Sequence, residues 1–240
     1  MLASNSVSHG EDRSESMHIH SQGTQYTVYD DVLGPDLLLQ AQETVSPDDL
    51  KPALSPISRI HDGLAFKAYG PRGELAPDLS DVRSDDIVAQ LAATCVRSSK
   101  SIDTEEVRAW AYSSTYMAYT VGTQLSWHDD RNGEWFGVFT YYLDPWSSQW
   151  GGELDLMDCN SEELPDRANH EESVVDAAIN ATTVFPRMNR LAVLKAGTLH
   201  RVRRVDQLAG SNIRRTISGS VWAIKRDGAR ADDDCQSATS

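Results

Sequence analysis

The chain has 240 residues, 40% of them hydrophobic and 24% charged, enough to bury the core of one generous domain. Its 22 Lys and Arg stand against 36 Asp and Glu, a net charge of −14, which excludes the basic footprint of a general nucleic-acid binder but leaves room for a small phosphorylated ligand held by a few arginines. No apolar run approaches the roughly 20 residues that span a bilayer, the first residues carry no signal-peptide pattern, and Cys95, Cys159 and Cys235 are too scattered for a disulfide framework, so a reduced, cytoplasmic setting without membrane contact is expected.

Residues 1–22 are rich in Ser, His and Glu and read as a disordered tail, which makes its histidines His9, His18 and His20 weak metal candidates. YTVYDDVLGPDLLLQAQETV predicts a short strand and then a helix with Pro35 in its first turn. SDDIVAQLAATCVRSS predicts a stronger helix, with Ser84 as N-cap and Ile87, Val88, Leu91, Cys95 and Val96 on one stripe. The part up to about residue 104 is thus expected to be helical. From 105 to 226 the chain turns to about eight short aromatic and β-branched runs separated by Gly, Pro, Asn and Asp. Helices first and strands afterwards predict a single domain over 23–226, mainly β with flanking α, its N-terminal helices packed outside a β-sandwich or jelly roll. The polar stretch 159–180 is a long loop and a candidate lid, and 227–240 reads as a second disordered tail.

Chemistry concentrates at Trp127-His128-Asp129-Asp130. Alternation along a strand would put His128 and Asp130 on one face and Asp129 on the other. His200 follows 72 residues later, far enough for intervening strands to return it beside the first pair. Two imidazoles and one carboxylate on one side of a metal form the facial triad of non-haem iron(II) oxygenases, with open positions opposite. By itself the pattern is short, and surface strand residues can produce it.

Its surroundings narrow the reading. Tyr119 lies nine residues before His128; Thr140 to Leu143 and Trp150-Gly151-Gly152-Glu153-Leu154 come after Asp130. Pro186, Asn189-Arg190-Leu191, Ala196-Gly197 before His200, and a closing strand from Arg214 to Trp222 complete the order. From about Tyr116 to Trp222 the chain resembles the iron(II)- and 2-oxoglutarate-dependent oxygenases of the prolyl-hydroxylase-like branch. The resemblance implies a double-stranded β-helix, with Fe(II) held by His128, Asp130 and His200 as the catalytic centre and 2-oxoglutarate and O2 as cosubstrates. It also implies contacts to 2-oxoglutarate from Tyr119 and Tyr142. The glycines of the WGGEL segment suit a tight turn with close backbone approach.

The far carboxylate of such a cosubstrate needs a fixed cation, preferably a bidentate Arg. In Arg214 to Trp222, alternation gives a polar face of Arg214, Thr216, Ser218 and Ser220 and an apolar face of Ile217 and Val221. Arg214 with Thr216 as its hydroxyl partner is the first choice, and Arg215 the alternative. Arg214 follows His200 by 14 positions, farther than the family's usual spacing, so residues 206–212 must form a longer turn. Arg131, Trp127 and Trp135 flank the first ligands and are candidates for facing substrate.

The resemblance implies hydroxylation of an unactivated carbon, with 2-oxoglutarate converted to succinate and CO2. Asp130 speaks against halogenation, which in this family replaces that carboxylate with a small residue; desaturation and ring formation stay open, as does the oligomeric state. A short chain without a basic groove favours a free small molecule, such as an amino acid or a natural-product intermediate, over a peptidyl substrate. The rival readings are a non-enzymatic, cupin-like metal-binding module and a zinc hydrolase, for which no general base is apparent.

Overall fold

The structure is a computed structural model that describes residues 17–53, 61–99, 106–130, 135–160 and 181–226. Thirteen strands and two α-helices follow one another in these segments. β1 (His18–Gln22), β2 (Tyr26–Asp30), α1 (Pro35–Glu43), β3 (Lys51–Pro52), β4 (His61–Asp62), β5 (Ala65–Leu75) and α2 (Ile87–Ser98) make up the N-terminal part. β6 (Val107–Tyr119), β7 (Gln124–His128), β8 (Trp135–Tyr142), β9 (Leu154–Asn160), β10 (Thr182–Val184), β11 (Leu191–Lys195), β12 (Thr198–Val202) and β13 (Arg214–Lys225) make up the rest. The expected mainly-β composition holds. The expected helical stretch up to residue 104 needs correction, because it holds five strands beside its two helices.

The strands form two antiparallel sheets, of order β1-β2-β11-β8-β13-β6-β5-β3 and β10-β9-β12-β7-β4. Side chains alternate between two apolar clusters, as the pleat requires. Phe139, Leu191, Val193, Ile217 and Val221 join α2 in one cluster on the large sheet. Val138, Ala192 and Leu194 point the other way and meet Leu154, Leu156 and Val202 of the small sheet. The two sheets therefore face each other, with the α2 layer against the opposite side of the large one.

α2 starts at Ile87, with Asp86 accepting a hydrogen bond from the Ala89 amide at 2.9 Å. Asp86, rather than Ser84, is thus the cap, placed three residues before the amide it satisfies. Ala89, Ala92 and Ala93 are buried together with the Leu91 and Cys95 stripe, so small residues let the helix sink deeply against the sheet.

The tail boundary at 22 also moves. β1 pairs with β2, His18 lying opposite Asp30, and His20 Nδ1 stands 3.3 Å from the Asp30 carboxylate. Polar residues suit an edge strand with one face in water. Residues 1–16, the 161–180 part of the expected lid and the 227–240 tail lie outside the described residues.

Candidate functional site

β7 and β12 lie side by side with His200 opposite His128, the imidazole centroids 4.2 Å apart. Alternation is not what brings Asp130 to them. β7 ends at His128, and Asp130 sits on the following turn at φ 49°, a left-handed conformation that Asp tolerates better than most residues. The turn swings its carboxylate back, leaving Oδ1 3.6 Å from His128 Nε2 and Oδ2 3.3 Å from His200 Nε2.

The backbone sets the tautomers. His128 Nδ1 lies 2.7 Å from the Ser126 carbonyl and His200 Nδ1 2.8 Å from that of Thr198. A carbonyl can only accept, so each Nδ1 carries the proton and each Nε2 presents a lone pair. One ligand atom from each of the three residues lies within 4.8 Å of the others. Two lone pairs and a carboxylate directed at one point call for a cation, and this donor set suits Fe(II) with positions left open.

The anchor candidates separate cleanly. Arg214 stands opposite Tyr119 on β6 and is only 3% exposed, its guanidinium 5.6 Å from the Tyr119 ring and 5.0 Å from that of Tyr142. Its Nε and Nη2 are buried without a hydrogen-bond partner among the described residues. Arg215, one residue on, faces the other side of the sheet. It donates through Nε and Nη2 to the Asp144 carboxylate at 2.8 and 2.6 Å and through Nη1 to the Gln42 carbonyl at 3.0 Å. Thr216, buried, returns to the Arg214 face opposite Tyr142. Burial raises the pKa of the Tyr142 hydroxyl against the lowering pull of Arg214, so it stays protonated as a possible donor at neutral pH.

The WGGEL turn fits around this arginine. Gly152, at φ 73°, lies so close that a Cβ there would stand 2.8 Å from Arg214 Cδ. Gly151, at φ 67°, forms an isolated bridge with Val205. Two buried nitrogens without partners are costly unless something pairs with them. A bound carboxylate would do so, and the residues present therefore fit 2-oxoglutarate as well as the metal.

A cavity of about 320 Å³ contains His128, Asp130 and His200 together with Arg214, Thr216 and Tyr119. Trp127, expected to face substrate, is not brought there. It is buried beneath the Arg201 guanidinium, 4.9 Å from its ring, and lines a separate pocket. A tryptophan one residue before a ligand is sent to the opposite face of the strand. Arg131 and the Trp135 side chain lie outside the described residues.

The structure also adds Lys67, Tyr69 and Arg72 of β5 and Ser113 and Thr115 of β6 to the cavity wall. The alternation of polar residues along SSTYM in β6 carried a signal for Ser113 and Thr115. Gly70-Pro71 hid the strand that carries the other three.

Residues 114–222 match the family model described as 2OG-Fe(II) oxygenase superfamily. No curated protein matches the sequence. Among solved structures, a Pseudomonas putida prolyl-4-hydroxylase is 15% identical, with 84% of this chain and 94% of that one covered and a TM-score of 0.53. A Trichoplax adhaerens prolyl hydroxylase in complex with a hypoxia inducible factor oxygen degradation domain peptide is 17% identical, covering 83% and 84%, with a TM-score of 0.54. HygX from Streptomyces hygroscopicus with nickel, 2-oxoglutarate and hygromycin B bound is 13% identical, covering 84% of each chain, with a TM-score of 0.50. These likenesses speak to the fold. The 114–222 segment, which carries the His-Asp-His cluster, thus matches the 2OG-Fe(II) oxygenase superfamily, enzymes that use Fe(II), 2-oxoglutarate and O2.

Proposed function

We propose that the protein hydroxylates an unactivated carbon of a free small molecule, with His128, Asp130 and His200 holding Fe(II) and Arg214 anchoring the far carboxylate of 2-oxoglutarate. The observation that carries this reading is that the three-ligand cluster and the unpaired, buried Arg214 line one cavity. When bound, the iron would supply activation of O2, one oxygen atom going to the substrate and the other to 2-oxoglutarate as it is oxidised to succinate and CO2.

The chain's own residues bind and orient. The Ser126 and Thr198 carbonyls hold both imidazoles with Nε2 presented toward the cavity. Asp130 occupies the third ligand position as an anion. Arg214 Nε and Nη2 form a charge-assisted pair with the carboxylate, and the Thr216 and Tyr142 hydroxyls add hydrogen bonds beside it. The buried surroundings strengthen every one of these contacts relative to water. Tyr119 closes the wall next to Arg214.

A volume of about 320 Å³ supports a small substrate, because it falls at the lower end of small-ligand pockets, roughly 300–1,000 Å³. HygX, similar in fold, is seen with hygromycin B, whereas the Trichoplax enzyme is seen with a peptide. Among the described residues no helix is long and apolar enough to cross a membrane. A cytoplasmic setting is compatible with Cys95, a buried free thiol.

The test is a screen of small metabolites and of proline-containing peptides for 2-oxoglutarate-dependent gain of one oxygen, with succinate measured in parallel. Small-molecule products that vanish in His200→Ala are expected. Oxygen gained only by peptides would contradict the substrate class, and succinate release untouched by His200→Ala would contradict the ligand set.

A further inference from the structure

β5 carries one residue more than its partner at the cavity rim. Tyr69 pairs with Thr115 and Arg72 with Ser113, so three steps on β5 match two on β6. In a regular strand Arg72 would face away from Lys67 and Tyr69; the bulge restores it to their side. The local sequence specifies this. A Cβ on Gly70 would collide with Ser114 Oγ, and that hydroxyl donates to the Pro71 carbonyl at 2.9 Å, pinning the extra residue in place.

As a result Lys67, Tyr69 and Arg72 all line the cavity that holds the His-Asp-His cluster. Lys67 Nζ lies 5.1 Å and Arg72 Cζ 5.9 Å from the centre of the Tyr69 ring, which is itself 63% exposed. The nearby Glu74 carboxylate is directed to Arg108 at 3.9 Å, and neither Lys67 nor Arg72 has an ion pair among the described residues. Among the described residues the one carboxylate lining the cavity is Asp130, which the proposed reading assigns to the metal. In a chain of net charge −14 this rim is a local reversal of sign. Part of the cavity floor is polar: Ser113, Thr115, Ser218 and Ser220 line it beside the apolar Met117, Val138 and Phe139, and Thr140 Oγ1 lies 3.4 Å from Ser218 Oγ.

We infer that the substrate is a small polar oxyanion, with a carboxylate or phosphate group held by Lys67 and Arg72 and a hydroxyl- or amine-bearing body lying over the serine and threonine floor. This names the substrate class of the proposed hydroxylase and rests on that reading for the cavity's role. Paired cations suit an oxyanion, and a neutral isostere leaves them without a partner.

Two experiments test it. In the first, the full chain without iron is titrated calorimetrically with matched probes: small hydroxy and amino carboxylic acids against their primary amides, and phosphate monoesters against their parent alcohols. The same titrations on Arg214→Ala remove the competing anion anchor. In at least one pair the anion is expected to bind at least tenfold more tightly. That preference should persist in Arg214→Ala, fall at least tenfold in the Lys67→Ala/Arg72→Ala double variant, and return in Lys67→Arg/Arg72→Lys. Which pair responds tells carboxylate from phosphate. A preference absent from every pair, or one that survives loss of both cations, overturns the inference.

In the second experiment the same probes are incubated aerobically with Fe(II) and 2-oxoglutarate, and oxygen gain is read by mass. Products confined to the anionic members support the inference, and equal turnover of neutral members overturns it while leaving the hydroxylase reading intact. Cation-dependent binding with no 2-oxoglutarate consumption by any probe would uphold the anion site and sink the hydroxylase reading instead.

Discussion

Replacing Arg214 with Ala separates cosubstrate binding from folding. The guanidinium is buried, with Nε and Nη2 unpartnered, so it offers two charge-assisted bonds to a carboxylate. At about 1.5–3 kcal/mol for each hydrogen bond to a charged group, their loss removes roughly 3–6 kcal/mol of binding. With tenfold per 1.4 kcal/mol, the dissociation constant for 2-oxoglutarate should rise on the order of 10²–10⁴-fold. Anaerobic calorimetric titration of 2-oxoglutarate into the Fe(II)-loaded protein measures this directly. Stability should respond differently. The buried cation loses hydration worth about 1–3 kcal/mol per unmade bond, and its stacking on Tyr119 and Tyr142 returns about 0.5–2 kcal/mol. Arg214→Ala should therefore melt within a few degrees of the parent protein when no 2-oxoglutarate is present. Arg215→Ala breaks a part-buried bidentate pair with Asp144 and a bond to the Gln42 carbonyl, costing about 1–3 kcal/mol of stability, and should leave 2-oxoglutarate affinity within threefold. Equal loss of affinity in both variants, or none in Arg214→Ala, would refute the assignment.

Three further predictions follow from the packing. Gly152→Ala combines a strained left-handed backbone with a Cβ against Arg214 Cδ, so calorimetry should show 2-oxoglutarate binding weakened at least tenfold; unchanged affinity would mean the glycine does not position the arginine. Asp30 is buried and accepts from Arg190 Nε and Nη2 at 2.7 and 2.9 Å and from Arg187 Nη1 at 2.8 Å. Burial alone would raise its pKa, but Arg190 and Arg187 hold it below the ordinary carboxylate value. The stabilisation it gives is complete above roughly pH 4 and is lost as pH falls further through the depressed folded value. Asp30→Asn should thus cost about 3–5 kcal/mol in urea unfolding at pH 7, with the gap to the parent narrowing below that pH; a constant gap would contradict the argument. Burial pushes the Cys95 thiol up to about 12, so iodoacetamide at pH 8 should label it only after unfolding, as peptide mass mapping would reveal.

The strands after residue 105 could be read in advance because each is a short aromatic or β-branched run bounded by Gly, Pro, Asn or Asp, and in β13 alternation sends Arg214 and Arg215 to opposite faces. Elsewhere the local rule was overridden. Asp130 reaches the histidines through a left-handed turn, a backbone state that side-chain alternation cannot announce. β5 went unseen because Gly70 and Pro71 look like a strand break, whereas they build a bulge supported by Ser114 from the neighbouring strand. β1 is polar and acquires its pairing only from the edge that β2 presents. The ion pairs of Asp30 with Arg190 and of Asp155 with Arg201 and Arg203 link positions far apart in sequence, so no spacing signals them. Trp127 was misplaced as a substrate contact because its proximity to His128 along the chain is reversed by the pleat in space.

On the proposed reading His128, Asp130 and His200 form one metal centre. Anaerobic titration of the purified chain with Fe(II), in the presence of 2-oxoglutarate and with bound iron quantified after desalting, tests it most directly. One tightly held iron per chain is expected, lost in His128→Ala and in His200→Ala while both variants keep the parent's circular dichroism. Iron retained at full stoichiometry in these folded variants would contradict it.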